Sequence, residues 1–405
     1  MTLVSSTVER PSSPGPRRAR RRVTDPSVLV VGAGPAGSVA ALVLARAGVR
    51  VRLVDRACFP RHKLCGDTLN PGALSILDRL GLGAAVRARA GSFTGMLVTG
   101  PGGTSVATDY PDGAVGAAVE RREFDFLLLN AAIAAGVEFT PGVRVVGPAL
   151  GSSRSRVTGV RVQHGSHDGE IPGRLVLAAD GRHSKLASAL GLTRFASRHK
   201  RWAFGAYFTD VDGLTTRGEM HIRADGYTGV APLGRDVTNV CVVRELDRGV
   251  SRGGPGAEST IEHAIAGDAA LRERFARARR VSPAASMGPL AVDATASGCP
   301  GLLLAGDAAG FIDPMTGDGL RFALRGGELA AEAALVELEE GTPAHEWLRV
   351  ARRREFSGKW RLNRALRALV AWPRGVAMAE GLASWWPAPV RFLVGVAGDV
   401  HLARG

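Results

Sequence analysis

Cysteine, aromatic residues and long apolar runs are all scarce in this sequence. Four cysteines occur among 405 residues, none with the paired C-x-x-C spacing of a metal site, so we expect reduced thiols and no bound metal. No stretch of about 18 residues is free of charge and proline, which argues against a membrane-spanning helix. The first 24 residues lack the apolar core of a signal peptide. Together these absences predict a cytoplasmic protein.

Positive charge is abundant but unevenly distributed. The formal net charge is +14. Residues 1–26 carry six arginines against two acidic residues, and residues 343–405 carry eleven basic against four acidic residues, which leaves the central body close to neutral. This distribution argues against a nucleic-acid partner, because a base-reading groove needs a basic patch on the folded body. Basic ends suit either general solubility or peripheral contact with the anionic inner face of a membrane.

The strongest motif is a glycine-rich turn, G-x-G-x-x-G, at residues 32–37. It follows the apolar run at residues 28–31, which predicts a buried parallel strand, and it opens an apolar segment predicted to be helical. Asp55 ends the next predicted strand, 18 residues after Gly37. In this context such a turn binds dinucleotide phosphates at the helix N-terminus, and a packing turn without ligand is the alternative. The predicted contacts are Gly32, Gly34, Pro35, Ala36, Gly37, Asp55 and Arg56.

Five further segments occur in the order that a known flavoprotein family shows. They are F-P-R-H-K-L-C-G-D at 59–67, R-R-E-F-D at 121–125, A-D-G-R-H-S at 179–184, A-G-D-A-A-G-F-I-D-P-M-T-G-D-G-L at 305–320 and G-G-E-L-A-A at 326–331. With the glycine-rich turn, they resemble the geranylgeranyl reductase family of FAD-dependent oxidoreductases over residues 27–335. That family is part of the p-hydroxybenzoate hydroxylase-like flavoproteins. Several motifs in matching order are more specific than any one of them.

The resemblance implies FAD as the cofactor. Because the sequence has no second G-x-G-x-x-G unit, an external electron donor such as NAD(P)H or ferredoxin is expected to bind transiently. Asp307 ends a predicted buried strand, where a carboxylate can hold ribityl or ribose hydroxyls, and residues 314–319 precede a long helix whose N-terminus favours a reduced flavin. Helix capping, a surface arginine or a strand-end turn are the structural alternatives. The contacts implied are Arg121, Asp180, Gly181, Gly306, Asp307, Pro314, Gly317 and Gly319.

The K-x-C-G segment at residues 63–66 is the candidate for catalysis. In the family the matching segment lies beside the isoalloxazine ring, which makes Lys63, Cys65 and Gly66 the candidate catalytic residues. Cys65 is expected to tune the flavin, gate the substrate channel or assist protonation, with Lys63 lowering its pKa. The alternative is a small buried hydrophobe. Residues 226–234 keep the tyrosine and proline, but not the tryptophan and phenylalanine, of the family's Y-x-W-x-F-P segment, so the candidate substrate contacts are Tyr227 and Pro232.

The resemblance and the pattern of strands predict an α/β fold of the p-hydroxybenzoate hydroxylase type. A Rossmann-type FAD-binding domain is expected from residues 27–92, 121–190 and 290–340. A discontinuous, mainly antiparallel sheet, from residues 93–120 and 191–289, is expected to form the substrate domain. Residues 1–26 are predicted to be a disordered basic arm. Residues 341–405 form a predicted helical region that either caps the substrate domain or contacts a membrane.

Three functions are open on these motifs. The first is FAD-dependent reduction of carbon–carbon double bonds in an isoprenoid, a quinone side chain or a polyketide-like molecule. The second is a monooxygenase that hydroxylates an aromatic or polyketide substrate, since the same fold hosts both. The third is a non-catalytic, redox-sensing flavoprotein. The motif order favours the first, with a small hydrophobic substrate and an external reductant as partners.

Overall fold

The computed structural model describes residues 28–153, 155–164, 167–195, 200–234, 236–246, 256–370, 378, 381–382, 385–386 and 388–400. The predicted basic arm, residues 1–26, therefore lies outside the described residues. The ten described α-helices are α1 Pro35–Arg46, α2 Pro71–Arg79, α3 Gly83–Arg87, α4 Arg121–Ala134, α5 Lys185–Ala189, α6 Ala257–Gly267, α7 Ala269–Arg272, α8 Gly319–Glu340, α9 Ala344–Val370 and α10 Ala388–Gly398. Short 3-10 turns cover Pro111–Gly113, Gly306–Ala309 and Pro314–Thr316.

The strands of the described chain fall into five sheets. They are β1 Val28–Val31, β2 Val51–Val54, β3 Thr68–Leu69, β4 Gly91–Phe93, β5 Gly95–Thr99, β6 Ser105–Asp109, β7 Gly116–Ala118, β8 Glu138–Thr140, β9 Arg144–Leu150, β10 Val157–His164, β11 His167–Pro172, β12 Leu175–Ala178, β13 Thr193–Phe195, β14 Arg201–Thr209, β15 Arg217–Arg223, β16 Gly226–Gly234, β17 Val237–Glu245, β18 Arg279–Arg280, β19 Ala285–Met287, β20 Val292–Ala294, β21 Gly298–Cys299 and β22 Leu302–Leu304. Two of these sheets position the candidate site.

The first of them is a parallel sheet that is buried on both faces. Its strand order is β21-β22-β12-β1-β2-β8, and only β21 runs antiparallel to its neighbour. Along β1, Val28 and Val30 pack with the helices α1, α4 and α8, while Leu29 and Val31 pack with β10, β11 and α5. Burial of both faces explains why these strands are continuous apolar runs rather than alternating ones. The carboxyl ends of β1, β12 and β22 meet at one edge, where the motif loops begin.

Two glycines of this layer allow close backbone contacts that a side chain would block. A Cβ at Gly37 would lie 1.8 Å from the carbonyl oxygen of Gly32, and a Cβ at Gly327 would lie 2.4 Å from that of Ala36. Gly37 therefore lets α1 pack on the turn that precedes it, and Gly327 lets α8 pack against α1. Both glycines come from motifs of the sequence, and the structure gives each of them a packing role.

The second sheet is mainly antiparallel and has the order β18-β14-β17-β16-β15-β5-β6, with β19 also paired to β14. The one parallel pair joins β5 to β15, so that residues 95–109 enter a sheet otherwise built from residues 201–287. One face packs on α6 and α7 through a core that includes Phe204, Val242, Ile261 and Leu271. The opposite face turns towards the motif loops and towards α9 and α10. The exact domain boundaries remain a prediction.

The helices α9 and α10 follow the long helix α8. On α9, Leu348 and Phe356 pack into the core around the parallel sheet, while several arginines of its other face are exposed. On α10, Val394 packs with Phe93 and Tyr110 of the region next to the antiparallel sheet. None of the described helices combines the length and the apolar character that crossing a membrane requires.

Replacing Gly327 by alanine tests the close packing of α1 against α8. The added methyl group would collide with a backbone carbonyl that cannot move aside, so we expect Gly327→Ala to lower the free energy of unfolding by about 1–3 kcal/mol. Gly358→Ala, on the exposed side of α9 with open space around it, is the matched control and is expected to be neutral or to stabilise by up to about 1 kcal/mol. Urea unfolding of the FAD-loaded protein measures both. An equal effect of the two substitutions would contradict the packing argument.

Candidate active site

A cavity opens where the motif loops meet at the edge of the parallel sheet. Its wall brings together, from distant parts of the sequence, the predicted residues Gly34, Pro35, Ala36, Lys63, Cys65, Gly66, Arg121, Gly181, Gly306, Asp307, Gly317 and Gly319. We call it the flavin-side cavity. Leu64, Thr68 and Arg182 are among the other residues of its wall.

The glycine-rich turn is fastened to the end of β2 by the Asp55 carboxylate. Its Oδ2 accepts a hydrogen bond from the backbone N–H of Ala33 at 2.8 Å, and its Oδ1 accepts one from Ala57 at 2.8 Å. Gly32 has a φ of +99°, and a Cβ there would lie 2.4 Å from the carbonyl oxygen of Ala179. Both features hold the turn close to the parallel sheet. A carboxylate has further lone pairs, so the predicted ribose contact of Asp55 remains open.

Three cations, Arg61, Lys63 and Arg121, lie at or beside the flavin-side cavity, and the two arginines share one carboxylate. Arg121 makes two hydrogen bonds to Asp125, at 2.6 and 2.8 Å, and Arg61 Nη2 lies 3.1 Å from Asp125 Oδ2. Burial, and then the charge of Arg121, lowers the pKa of Lys63. A Cβ at Gly34 would lie 3.5 Å from Arg61 Nη2, so this guanidinium extends over the glycine-rich turn. The excess positive charge beside free backbone amides suits the pyrophosphate of a dinucleotide.

A fourth cation, Arg182, has an unmet hydrogen-bonding capacity at the same cavity. It is buried, and its Nη1 has no hydrogen-bond partner among the described residues. Burial lowers its pKa, and the charge of Asp307 opposes that effect. A buried guanidinium nitrogen without a partner is costly, and an anionic or hydroxyl-rich ligand would satisfy it. The hydrogen-bond donors of the flavin-side cavity and the glycine-rich turn therefore fit FAD.

A second cavity of about 300 Å³ lies over the open face of the antiparallel sheet. Its floor crosses β17, β16, β15, β5 and β6, through Asn239 and Cys241, Tyr227 and Gly229, Met220 and Ile222, Met96 and Val98, and Val106. Leu366 and Leu369 of α9, with Val390, Leu393, Val394 and Ala397 of α10, line the part that faces the helices. Aliphatic residues, methionines and glycines together make up most of this lining. We call it the apolar cavity.

The two cavities adjoin each other. Gly66, Thr68, Cys241 and Gly317 line both of them. Gly317 has a φ of +67°, a conformation that favours glycine, and a Cβ there would lie 3.4 Å from Thr68 Oγ1. These four residues define the junction between the flavin-side cavity and the apolar cavity.

Two thiols lie at or beside the junction, and both favour the protonated form. Burial raises the pKa of Cys65, although Arg121 opposes this effect, and burial raises the pKa of Cys241 to about 12. The expectation that Lys63 lowers the pKa of Cys65 is wrong in this structure. Desolvation is the larger effect, and the nearby charge that opposes it is the Arg121 guanidinium.

An acidic side chain that the motifs did not single out is buried behind Gly66. Asp67 accepts a hydrogen bond from Asn239 Nδ2 at 2.7 Å, and the same amide donates to the carbonyl oxygen of Cys65 at 3.0 Å. Asp67 has a φ of +58°. Burial raises its pKa to about 7, and the Tyr207 hydroxyl and the Asn239 amide offset only part of that rise. Asn239 thus ties the K-x-C-G segment to β17.

Tyr227 connects the apolar cavity with the segment that follows β22. Its ring lines the cavity, while its hydroxyl donates to Asp313 Oδ1 at 2.5 Å. Arg201 Nη1 donates to Asp313 Oδ2 at 3.1 Å, and the backbone N–H of Met315 donates to Oδ1 at 3.1 Å. All three side chains are buried. The hydroxyl of Tyr227 is therefore engaged by the protein, which leaves its ring for contact with a substrate.

Among the other predicted residues, Gly32, Gly37, Asp55, Arg56, Asp180 and Pro232 lie outside the walls of both cavities. Gly32 and Gly37 act in packing, and Arg56 is exposed. Asp180 Oδ2 accepts from the backbone N–H of Lys185 at 3.0 Å, at the start of α5. Pro232 belongs to β16, and Pro314 begins a 3-10 turn beside the junction. Their roles at the site remain predictions.

Sequence reasoning did not single out Arg61, Arg182, Asp67, Asn239 or the pair of Arg201 and Asp313. Four of these residues, Arg61, Arg182, Asp67 and Asp313, lie inside the quoted motifs, so a charged residue within a motif was a usable signal. Asn239 and Arg201 lie in segments without a motif. Arg201 and Asp313 are 112 positions apart in the sequence, and only the folded chain brings them together.

Comparison with known proteins agrees with this geometry. The chain matches the family model described as FAD binding domain over residues 25–352. Menaquinone reductase of Mycobacterium tuberculosis is 33% identical over 332 residues, which cover 75% of this chain and 75% of that protein. Digeranylgeranylglycerophospholipid reductase of Methanoculleus marisnigri is 26% identical over 349 residues, which cover 83% of this chain and 82% of the relative. The myxobacterial halogenase CndH has a TM-score of 0.79 at 22% identity, covering 93% of this chain and 96% of that chain, and shows the fold alone.

The fold and the flavin-side cavity define an FAD-dependent oxidoreductase of the p-hydroxybenzoate hydroxylase-like class. Within that class, the chain belongs to the geranylgeranyl reductase family, together with the menaquinone and digeranylgeranylglycerophospholipid reductases that it resembles. The predicted fold class, family and FAD cofactor are therefore confirmed.

Removing the charge of Arg182 tests its contact with the cofactor. We expect Arg182→Gln to weaken FAD binding about 10- to 100-fold, because a charge-assisted hydrogen bond contributes about 1.5–3 kcal/mol. Lys185→Gln, an exposed cation three residues away, is the control and should bind FAD like the parent. Titration of the apoprotein with FAD, followed by flavin fluorescence, gives both dissociation constants. Equal affinities for the two variants would place Arg182 outside the cofactor site.

Replacing Asp67 by asparagine tests the raised pKa of this buried carboxyl. The folded state holds the proton up to about pH 7, whereas the unfolded chain releases it near 3.8, so the stabilising contribution is lost as the pH rises towards 7. We expect the parent to lose about 3 kcal/mol relative to Asp67→Asn between pH 5 and pH 8, because one pKa unit corresponds to about 1.4 kcal/mol. Asparagine also tolerates the positive φ. Urea unfolding at both pH values measures the difference, and parallel pH profiles would contradict the assignment.

Proposed function

We propose that this protein reduces carbon–carbon double bonds of an isoprenoid chain carried by a quinone or another lipid. The observation that carries the proposal is the junction, where an apolar cavity adjoins a cavity that fits FAD. The relatives named menaquinone reductase and digeranylgeranylglycerophospholipid reductase support the same reaction class. The second of these names also indicates an isoprenoid lipid.

The shape of the apolar cavity favours a chain over a compact ring. Its floor crosses five neighbouring strands, which corresponds to about 19 Å at the usual spacing between strands. The floor carries aliphatic side chains, methionines and glycines, with few groups that could orient a polar aromatic substrate. An elongated hydrocarbon needs no polar partner on such a surface, because burial of apolar area is itself favourable.

The residues at the junction have separable roles in this proposal. FAD, when bound, supplies the hydride donor. Gly66 and Gly317 permit close approach of the substrate chain to the ring, and the apolar walls exclude water. Reduction of a carbon–carbon double bond needs a proton as well as a hydride. Cys65, on the flavin side, holds a proton at its Sγ that can meet this need. Lys63 and Arg121 keep the flavin-side cavity positive, which favours an anionic cofactor.

Two partners complete the proposal. An external donor such as NAD(P)H or ferredoxin supplies electrons, since the sequence contains a single dinucleotide fingerprint. The substrate reaches the protein from a membrane, so we propose peripheral contact with the inner face of a bilayer. The cytoplasmic location remains a prediction from the sequence.

Hydroxylation of an aromatic substrate is the alternative from the sequence. The elongated floor of the apolar cavity favours a hydrocarbon chain instead, and the solved halogenase resembles this protein at an identity that shows the fold alone. A purely redox-sensing role does not explain the apolar cavity.

Anaerobic turnover tests the proposal. The FAD-loaded protein is reduced with dithionite and mixed with a polyprenyl quinone dispersed in detergent, and the product is analysed by mass spectrometry. We expect the side chain to gain two hydrogen atoms for each flavin reoxidised. A product that gains oxygen, and forms only after air is admitted, would instead establish the monooxygenase.

Substitution of Gly229 supplies the matched variants for this assay. A Cβ at this position would be 3.8 Å from its nearest neighbour, the carbonyl oxygen of Cys241, so the backbone accepts a side chain that points into the apolar cavity. We expect Gly229→Leu to raise KM for a long polyprenyl substrate at least about 10-fold by filling the floor, with FAD affinity unchanged. Gly229→Ala should behave nearly like the parent. Unchanged turnover by Gly229→Leu would show that the substrate lies elsewhere.

A further inference from the structure

The most exposed large apolar side chains of the described chain concentrate in residues 378–392. Trp385 is 93% exposed, and Met378 and Phe392 are each 69% exposed. Leu382 and Trp386 are also more than half exposed. Exposed apolar residues scattered singly need no explanation, but a group this close in sequence indicates an interaction surface.

The helix α10 presents different residues to the cavity and to solvent. Val390, Leu393, Val394 and Ala397 line the apolar cavity at helical spacing. Arg391 and Phe392 are both exposed. The solvent side of α10 therefore pairs a cation with a large apolar ring, a combination that suits the interfacial region of a bilayer.

The helix α9 carries a second group of exposed arginines. Arg349, Arg353, Arg354 and Arg361 are exposed, and none of them forms an ion pair within the described residues. Arg364, one turn beyond Arg361, pairs with the exposed Asp293 at 3.2 Å. The same helix contributes Leu366 and Leu369 to the apolar cavity. Arg361 and Arg364 therefore lie within about two turns of Leu366, which lines the cavity.

Buried polar contacts hold α10 in place at its C-terminal end. The carbonyl oxygen of Ala397 accepts from Asn70 Nδ2 at 2.8 Å and from Lys359 Nζ at 3.1 Å. Asp399 Oδ2 lies 2.7 Å from Arg321 Nε and 2.8 Å from Lys359 Nζ. Phe392 is thus carried on a helix that several polar contacts hold in place, and one helix diameter of about 10 Å separates it from the cavity.

We propose that a docking surface for an anionic lipid bilayer is formed by the exposed arginines of α9 and α10 and by Met378, Leu382, Trp385, Trp386 and Phe392. Tryptophan and phenylalanine side chains enter the interfacial region, and the arginines pair with lipid phosphates. The proposal rests on the proposed function, since a lipid-borne substrate would then enter the apolar cavity from the bilayer. A second copy of the chain is the competing occupant. A symmetric dimer through this surface would place the arginine stripes of the two copies close together, which disfavours it.

Flotation with vesicles tests the docking surface without any substrate. The FAD-loaded protein is mixed with vesicles of phosphatidylcholine alone or with phosphatidylglycerol added. We expect binding to the anionic vesicles that weakens as salt is raised, and at least about 10-fold weaker binding for Trp385→Ser with Trp386→Ser. Val146→Ser with Val281→Ser removes exposed apolar side chains of β9 and of the loop after β18, and this control should bind like the parent.

A second variant separates charge from apolar contact. Arg353→Gln with Arg361→Gln should reduce binding to anionic vesicles and remove much of its salt dependence. Unchanged binding of the tryptophan variant, or a dimer in sedimentation that this variant dissociates while vesicles bind no protein, would overturn the proposal. Turnover of a detergent-dispersed quinone by the tryptophan variant reports on the proposed function separately, because it needs no bilayer.

Discussion

The short hydrogen bond between Tyr227 and Asp313 ties the two large sheets together at the point where their cavities adjoin. Asp313 opens the segment that ends at Gly319, and Arg201 holds its other carboxylate oxygen. Thr316 in the same segment donates to Asn363 of α9 at 2.8 Å. A buried carboxylate bound by three donors is expensive to disrupt. The geometry of the junction between the flavin-side cavity and the apolar cavity therefore depends on contacts that belong to neither cavity alone.

Charge and apolar surface are separated on the two sides of this junction. The flavin-side cavity gathers Arg61, Lys63, Arg121 and Arg182, with fewer carboxylates than cations close by. The apolar cavity offers almost no charge. This separation suits a reaction between an anionic cofactor and a hydrocarbon, because each partner is more stable on its own side. It also explains why the thiols at the boundary keep their protons, since desolvation outweighs the nearby positive charge.

Prediction from the sequence succeeded where a local pattern has a local physical cause. The apolar run of β1, the glycine-rich turn and α1 follow from strand burial and from the steric needs of Gly32 and Gly37. The motif order led to the family and to FAD, and the comparisons confirm both. The assignment of Lys63 as the group that lowers the pKa of Cys65 was wrong, because sequence proximity does not report how deeply a thiol is buried.

The class of cofactor can be deduced from the sequence alone, since phosphate binding needs particular residues at fixed spacing along one chain segment. Which residues share a cavity becomes visible only in the folded chain. No sequence motif indicates which residues will contact Asn239, Cys241 and Tyr227. The strands β16 and β17 place them against the K-x-C-G segment and the segment that begins at Asp313. Pairing between strands distant in sequence depends on the whole core, and the pKa of Asp67 depends on that burial. The linear sequence pattern shows neither the pairing of distant strands nor the burial of Asp67.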